Sequence, residues 1–307
     1  MRDFHREKRA GISSAPSTTI RKSGRVAPAL IEAGVRPAKS RGQNFLVQGA
    51  VADRIIQAAS LGKSDEVIEI GPGLGVLTER IVRYPLRRLT LIEIDRRLAA
   101  RLERRFSADP RVCVIAADFL DLHPSSIIVG SRVKVIGNLP FNVAAAILKK
   151  LSDTHESISR MVLMFQREVA ARIRARPRED GYSALSAFTA MYWQIDLHFA
   201  VAPGSFHPRP KVSAEVLRFL PIDNPPFAQA EEQRILQTVR ASFSAPRKMI
   251  RNAIQKSTGL APSQIAAALE RAGINHGARA ETLGIDDFVR LSRELEPARQ
   301  TGASTDA

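Results

Sequence analysis

Apolar residues over the first two-thirds of the chain fall in short, nearly unbroken runs rather than in helical stripes. Runs at 65–70, 91–95, 111–117, 133–138 and 161–165 have the length and the β-branched content of strands buried on both faces. Between and after them, the patterns at 76–82, 144–151 and 168–174 repeat at helical spacing. Two further runs, 192–199 and 212–219, predict an antiparallel pair at the sheet edge. Prolines at 221, 225 and 226 then mark a linker. Beyond it come helical patterns at 231–243, 247–256, 263–272 and 285–295, with expected caps at Ser263 and Gly273. The pattern therefore predicts an α/β fold: a Rossmann-like, mostly parallel sheet whose last strand is antiparallel, followed by a smaller all-helical C-terminal domain. The expected boundaries are 37–222 for the first and 227–296 for the second, with a disordered tail at 297–307. Residues 1–36 mix Ser, Thr, Pro and Arg with Asp3, Glu7 and Glu32 and lack the apolar centre of a secretory signal. They read as a flexible basic tail, with 29–34 as a short helix.

Candidate chemistry collects where strands end. The first strand, Asp65-Glu66-Val67-Ile68-Glu69-Ile70, runs into Gly71-Pro72-Gly73-Leu74-Gly75 and then a helical pattern, which is how a nucleotide-binding unit begins. Glu93 closes the next strand 22 residues after Gly71, the place of an acid that binds ribose hydroxyls. The glycine spacing is Gly-x-Gly-x-Gly with Val76 at the sixth place, not the Gly-x-Gly-x-x-Gly of a pyrophosphate cradle. S-adenosylmethionine, which has no pyrophosphate, fits that turn better than a nicotinamide dinucleotide. A third strand ends in Asp118, whose carboxylate can accept an exocyclic N–H of adenine, and the fourth ends in Asn138. Taken singly, Glu93 and Asp118 also suit helix N-termini or surface charges; four successive strand ends carrying Gly71, Glu93, Asp118 and Asn138 describe a ligand cleft.

Asn138-Leu139-Pro140-Phe141 suggests what is done to the ligand's partner. The amino nitrogen of a nucleobase is a weak nucleophile because its lone pair is delocalised into the ring. The side-chain oxygen of Asn138 and the carbonyl of Leu139, set by the fixed φ of Pro140, can accept its two N–H bonds and turn the lone pair toward a methyl donor. Phe141 can stack on an extruded base, a contact worth about 1–3 kcal/mol. The same tetrapeptide also suits an ordinary strand-to-helix turn with Phe141 in the core.

Charge adds a partner. Forty-six Lys and Arg against 31 Asp and Glu give +15, and the pI near 10.8 points to a polyanion, most naturally nucleic acid. Arg167 and Arg172 follow the fifth strand, Arg209 and Lys211 flank Phe206, and Arg247, Lys248 and Arg251 lie at helical spacing. Cys113 is the only cysteine, so no internal disulfide forms, and six scattered histidines make no metal-ligand spacing. His198 and His207 lie near Phe206 but read as solvated or hydrogen-bonded side chains. No apolar run is long enough to span a membrane. A cytoplasmic monomer without metal is expected.

The chain resembles the ribosomal RNA adenine N6-dimethyltransferases, and within them the KsgA-type, small-subunit branch. The resemblance is carried by Lys39-Ser40-Arg41-Gly42-Gln43-Asn44-Phe45-Leu46, Glu69-Ile70-Gly71-Pro72-Gly73-Leu74-Gly75, Glu93-Ile94-Asp95, Asp118, Asn138-Leu139-Pro140-Phe141, Phe165-Gln166-Arg167-Glu168, Phe206-His207-Pro208-Arg209-Pro210-Lys211-Val212 and Arg247-Lys248-Met249-Ile250-Arg251-Asn252. It implies a class I methyltransferase fold. It also implies that Asn44, Leu46, Gly71, Glu93, Asp118 and Asn138 contact S-adenosylmethionine, that Asn138, Leu139, Pro140 and Phe141 face the target adenine, and that Phe206 is a second stacking wall. Many relatives carry tyrosine where this chain has Phe141, which keeps the ring and loses the hydroxyl. The implied reaction is dimethylation of N6 on two adjacent adenosines in the 3′-terminal hairpin loop of 16S rRNA, within the small subunit or its precursor, with a part in subunit assembly. Three other readings share features: a large-subunit rRNA methyltransferase of the macrolide-resistance type, a non-catalytic RNA-binding assembly factor, and a DNA adenine methyltransferase. The last typically carries Asp-Pro-Pro-aromatic where this chain has Asn138-Leu139-Pro140-Phe141.

Overall fold

The computed structural model describes residues 44–128, 132–140, 143–245 and 247–303. The expected basic tail, its short helix at 29–34, the segment 37–43 and Phe141 lie outside the described residues.

Nine strands and eleven helices are described. In chain order the strands are β1 (Phe45–Leu46), β2 (Glu66–Ile70), β3 (Arg88–Glu93), β4 (Val112–Ala116), β5 (Val133–Asn138), β6 (Ile158–Gln166), β7 (Trp193–Val201), β8 (Phe206–His207) and β9 (Ala214–Pro221). The helices are α1 (Gly49–Ala59), α2 (Thr78–Ile81), α3 (Arg96–Phe106), α4 (Pro124–Ile127), α5 (Ala144–Ser152), α6 (Arg167–Arg174), α7 (Ala184–Tyr192), α8 (Glu232–Ser242), α9 (Ile250–Thr258), α10 (Pro262–Arg271) and α11 (Ile285–Ala303). Seven strands form one sheet in the order β4-β3-β2-β5-β6-β9-β7. Pairing is parallel from β4 to β6, and β9 runs antiparallel to both β6 and β7. The expected antiparallel edge is thus present, with β9 inserted between two strands of the opposite direction.

The order reverses between β2 and β5, and the register Ile70↔Gly137 brings the C-terminal ends of those two strands side by side. This is the switch point where open α/β sheets bind ligands. Alternation along the strands sorts the apolar side chains onto two faces. Val67, Leu91, Val162 and Met164 pack in one cluster beneath α1, while Ile68, Ile70, Leu163 and Phe165 belong to the other. That second cluster continues without a break into Ile235, Ile250, Leu269 and Leu295 of α8 to α11. The tail helices are therefore packed on the sheet's covering helices, and Tyr182 Oη donates to the Leu283 carbonyl at 2.9 Å across that contact.

Several element ends differ from the sequence expectation. The helix expected at 76–82 shrinks to the single turn of α2, because Gly75 sits at φ +81 and the glycine turn extends further. Residues 184–192 give no strand or helix signal, being apolar nearly all round, yet they form α7, started by Ser183 and Ser186, whose hydroxyl accepts from the Ser183 N–H at 3.0 Å. Ser263 is not the cap of α10: Pro262 occupies its first turn and Gln264 Oε1 accepts from the Ala261 N–H at 3.0 Å. Gly273, at φ +69, does follow the helix end, and Ile274 N–H donates back to Leu269 at 2.9 Å. Helix α11 continues to Ala303, past the boundary expected at 296. A small ladder absent from the sequence reading pairs β1 with β8, Leu46 opposite Phe206.

Candidate active site

Gly71, Gly73 and Gly75 all take positive φ, at +68, +56 and +81, a region that side chains with Cβ avoid. A Cβ on Gly73 would approach the Phe45 ring to 3.0 Å, so the turn is closed down on β1. Glu93 locks it from the other side. Its Oε2 accepts from Gly73 N–H at 2.9 Å and its Oε1 from Asp95 N–H at 3.0 Å, and the side chain is 4% exposed. Burial pushes the Glu93 carboxyl up from its ordinary range, and the Asp95 and Gly73 N–H groups pull it partly back.

Two cavities meet at Gly71. The wider, about 200 Å³, is walled by Ile70, Ile92, Ile94, Asp118, Phe119 and Pro140. Its lining is mainly apolar, and the Asp118 carboxylate within it is fixed by the Leu120 N–H at 2.9 Å. Ile94, 46% exposed, lines the same cavity. The narrower, about 20 Å³, is bounded by Phe45, Leu46, Glu69, Gly73, Leu77 and Asn138. Apolar walls beside an acid suit an adenosine in the first, and the second adjoins it at Gly71. The residues present thus suit S-adenosylmethionine.

Asn138 sits at the junction. Its Nδ2 donates to the Asn44 carbonyl at 3.0 Å, which leaves Oδ1 as the acceptor on the other side of the amide. Leu139 N–H donates to the Met164 carbonyl at 3.3 Å and the residue is 1% exposed, so it anchors the turn. Pro140 walls the wider cavity. Asn44 and Leu46, half-buried and buried, reach the site because β1 is held on β8, where Val47 N–H donates to the Ser205 carbonyl at 2.8 Å.

Phe206 is 4% exposed, opposite Leu46 in the ladder, and packed with Leu46, Ile136, Val162 and Met164. The structure holds Phe206 against β1 within an apolar cluster, and a stacking role would need the ring to leave that packing. Glu69 and Thr78 were missed by the sequence reading. Thr78 Oγ1 donates to Glu69 Oε2 at 2.7 Å, while Glu69 Oε1, also buried, has no hydrogen-bond partner. The available signal was a carboxylate inside an otherwise apolar strand.

A family model described as ribosomal RNA adenine dimethylase matches residues 36–296. The chain belongs to that family. It is an rRNA adenine dimethyltransferase on a class I methyltransferase sheet. A relative from Geobacter metallireducens named ribosomal RNA small subunit methyltransferase A is 38% identical over 266 residues, 85% of this chain and 96% of its own length. Among solved structures, a dimethyladenosine transferase from Plasmodium falciparum superposes with a TM-score of 0.71 at 22% identity, covering 83% of this chain and 98% of the other. The 23S rRNA methyltransferase ErmE superposes with a TM-score of 0.64 at 27% identity, covering 82% and 100%.

Arg167, Arg172, Arg209, Lys211, Arg247, Lys248 and Arg251 are all exposed, and none is in an ion pair among the described residues. No helix among the described residues is long and apolar enough to cross a membrane.

Proposed function

We propose that the protein methylates N6 of two adjacent adenosines in the 3′-terminal hairpin loop of small-subunit rRNA, twice each, and that it engages the small subunit or its precursor to do so. The observation that carries this reading is the hydrogen bond from Asn138 Nδ2 to the Asn44 carbonyl. An amide rotated the other way would present N–H to the target amine and repel it. With Nδ2 committed, Oδ1 is left as the acceptor at a cavity that Asn138 shares with Gly71.

S-adenosylmethionine, held by Gly71, Glu93 and Asp118 along the adenosine and by the Asn44 to Leu46 strand along the arm, supplies a methyl group already activated by positive sulfur. Asn138 Oδ1 and the Leu139 carbonyl accept the N6 hydrogens and aim the lone pair in line; Phe141 stacks on the base. The protein's share is orientation and electrostatics, of the kind that provides several kcal/mol without a strong base. After transfer the alkylated nitrogen loses its surplus proton to solvent. The exposed cations around Arg209 and Arg247 hold phosphates of the rRNA.

Small-subunit specificity is supported by the name and identity of the Geobacter metallireducens relative, while the 23S enzyme shares the sheet at lower identity. Incubating purified small and large subunits in parallel with labelled donor tests it. Label is expected in the small subunit as N6,N6-dimethyladenosine; label confined to the large subunit would overturn the assignment.

A further inference from the structure

At the pole of the sheet opposite Gly71 and Asn138, where β2, β5 and β6 begin and just ahead of β3, lies a cavity of about 440 Å³. Its lining is mainly polar and includes Arg87, Arg132, Lys134 and Arg160 with Asp65 and Glu66. Both acids are already paired. Asp65 Oδ2 accepts from Lys134 Nζ at 2.6 Å and from Gly62 N–H at 2.7 Å, and Glu66 lies 3.4 Å from the Arg87 guanidinium. Arg132 and Arg160 pair with no carboxylate among the described residues, so the cavity carries two positive charges in excess. Its cations are also held in place. The Arg160 guanidinium donates to the Ala58 carbonyl at 3.1 Å and to Ser60 Oγ, and Lys134 Nζ donates to the Ser60 carbonyl at 2.6 Å. Capping the C-terminal end of α1 accounts for those bonds. It does not account for Arg132, which lines the cavity at φ +70, where glycine would be the unstrained choice. A charge run on a solvated face needs no concavity, whereas here four adjacent strands converge on one.

We propose that this cavity is a second rRNA site, taking backbone phosphates from a segment of the small subunit other than the one that carries the target adenosine. The identity of the occupant rests on the small-subunit reading above. Guanidinium forks match phosphate oxygens with parallel N–H donors, and a phosphodiester is the anion that an rRNA substrate presents in quantity. The volume lies in the range of pockets for drug-sized ligands, more than one free phosphate needs, and suits neighbouring groups of a backbone. Strand β2 spans five residues, so at about 3.3 Å per residue the cavity is on the order of 15 Å from Gly71. A nucleotide seated at Asn138 does not reach it, and the occupant is therefore a separate part of the particle.

Arg132→Gly removes one charge at a φ that glycine adopts freely, and Arg160→Gln removes the other while keeping an N–H for the Ala58 carbonyl. In the double variant the slope of log affinity for small subunits against log salt is expected to fall by about 1.5, with affinity itself down about tenfold at low salt. The Arg132→Lys, Arg160→Lys pair, which keeps both charges, should keep the slope. S-adenosylmethionine binding by calorimetry and the transfer rate at saturating subunits should stay within about twofold throughout, since neither residue touches the Gly71 cleft. Arg132→Gly alone, which breaks none of the bonds above, should give about half the change in slope. An unchanged slope in it would overturn the inference whatever the double variant does, and so would an equal fall in the lysine pair. Saturable binding of inorganic phosphate that the double variant loses, with subunit affinity unaltered, would make this a site for a free anion and overturn the rRNA assignment. All three outcomes leave the small-subunit reading standing. Failure of the native protein to bind small subunits at any salt would overturn both.

Discussion

Asn138 commits one end of its amide to the Asn44 carbonyl, 94 positions earlier, and in the proposed reaction offers the other end to the substrate. Glu69 shows the complementary case, a side chain whose cost is visible because half of it is unsatisfied. Its folded-state carboxyl lies near 8 against an ordinary value of 4.5, so in the protein without donor its ionisation opposes folding. The sign follows: the penalty is absent below about 4.5, grows as pH rises, and is complete above about 8. Glu69→Gln removes it. The melting temperature of the variant, measured without donor, is therefore expected to rise relative to the native protein as pH goes from 5 to 8. A difference that stays constant or shrinks over that range would show that Glu69 does not carry the buried proton.

The β1–β8 ladder is the element on which the cleft leans, and the one the sequence concealed. Two-residue strands give no periodic signal, and Phe206 lies among turn-forming prolines where packing and stacking look alike. Its burial makes a measurable difference. Phe206→Ala is expected to cost about 3–5 kcal/mol in denaturant unfolding, as for a core aromatic. A variant of native stability that loses only base binding would support the stacking role. By contrast, the seven-stranded sheet was legible in outline, because strands buried on both faces produce continuous apolar runs that cannot be hidden. The four residues read as a ligand cleft, Gly71, Glu93, Asp118 and Asn138, do lie at or just past the ends of parallel strands, and strand ends are what the pattern marks best. What escaped were contacts that need three dimensions, such as Thr78 on Glu69, and α7, whose all-round apolar surface has no period to read.

The sheet and the helices from α8 onward share one apolar cluster, which ties the cations of the C-terminal helices to the sheet. Arg247, Lys248 and Arg251 stand on or just before α9, exposed and uncompensated by ion pairs among the described residues. Replacing all three by alanine should weaken small-subunit binding and lower the slope of log affinity against log salt by roughly two to three. An unchanged slope would remove them from the RNA contact. The central claim concerns Asn138, and one measurement bears on it most directly. Native protein and Asn138→Ala are incubated with unmodified small subunits and donor, and the rRNA is analysed by mass spectrometry alongside particle binding. The account expects N6,N6-dimethyladenosine from the native protein, a loss of about a hundredfold or more in transfer rate for the variant, and particle binding within about twofold. Dimethylation by Asn138→Ala at the native rate, or a parallel loss of binding and transfer, would contradict it.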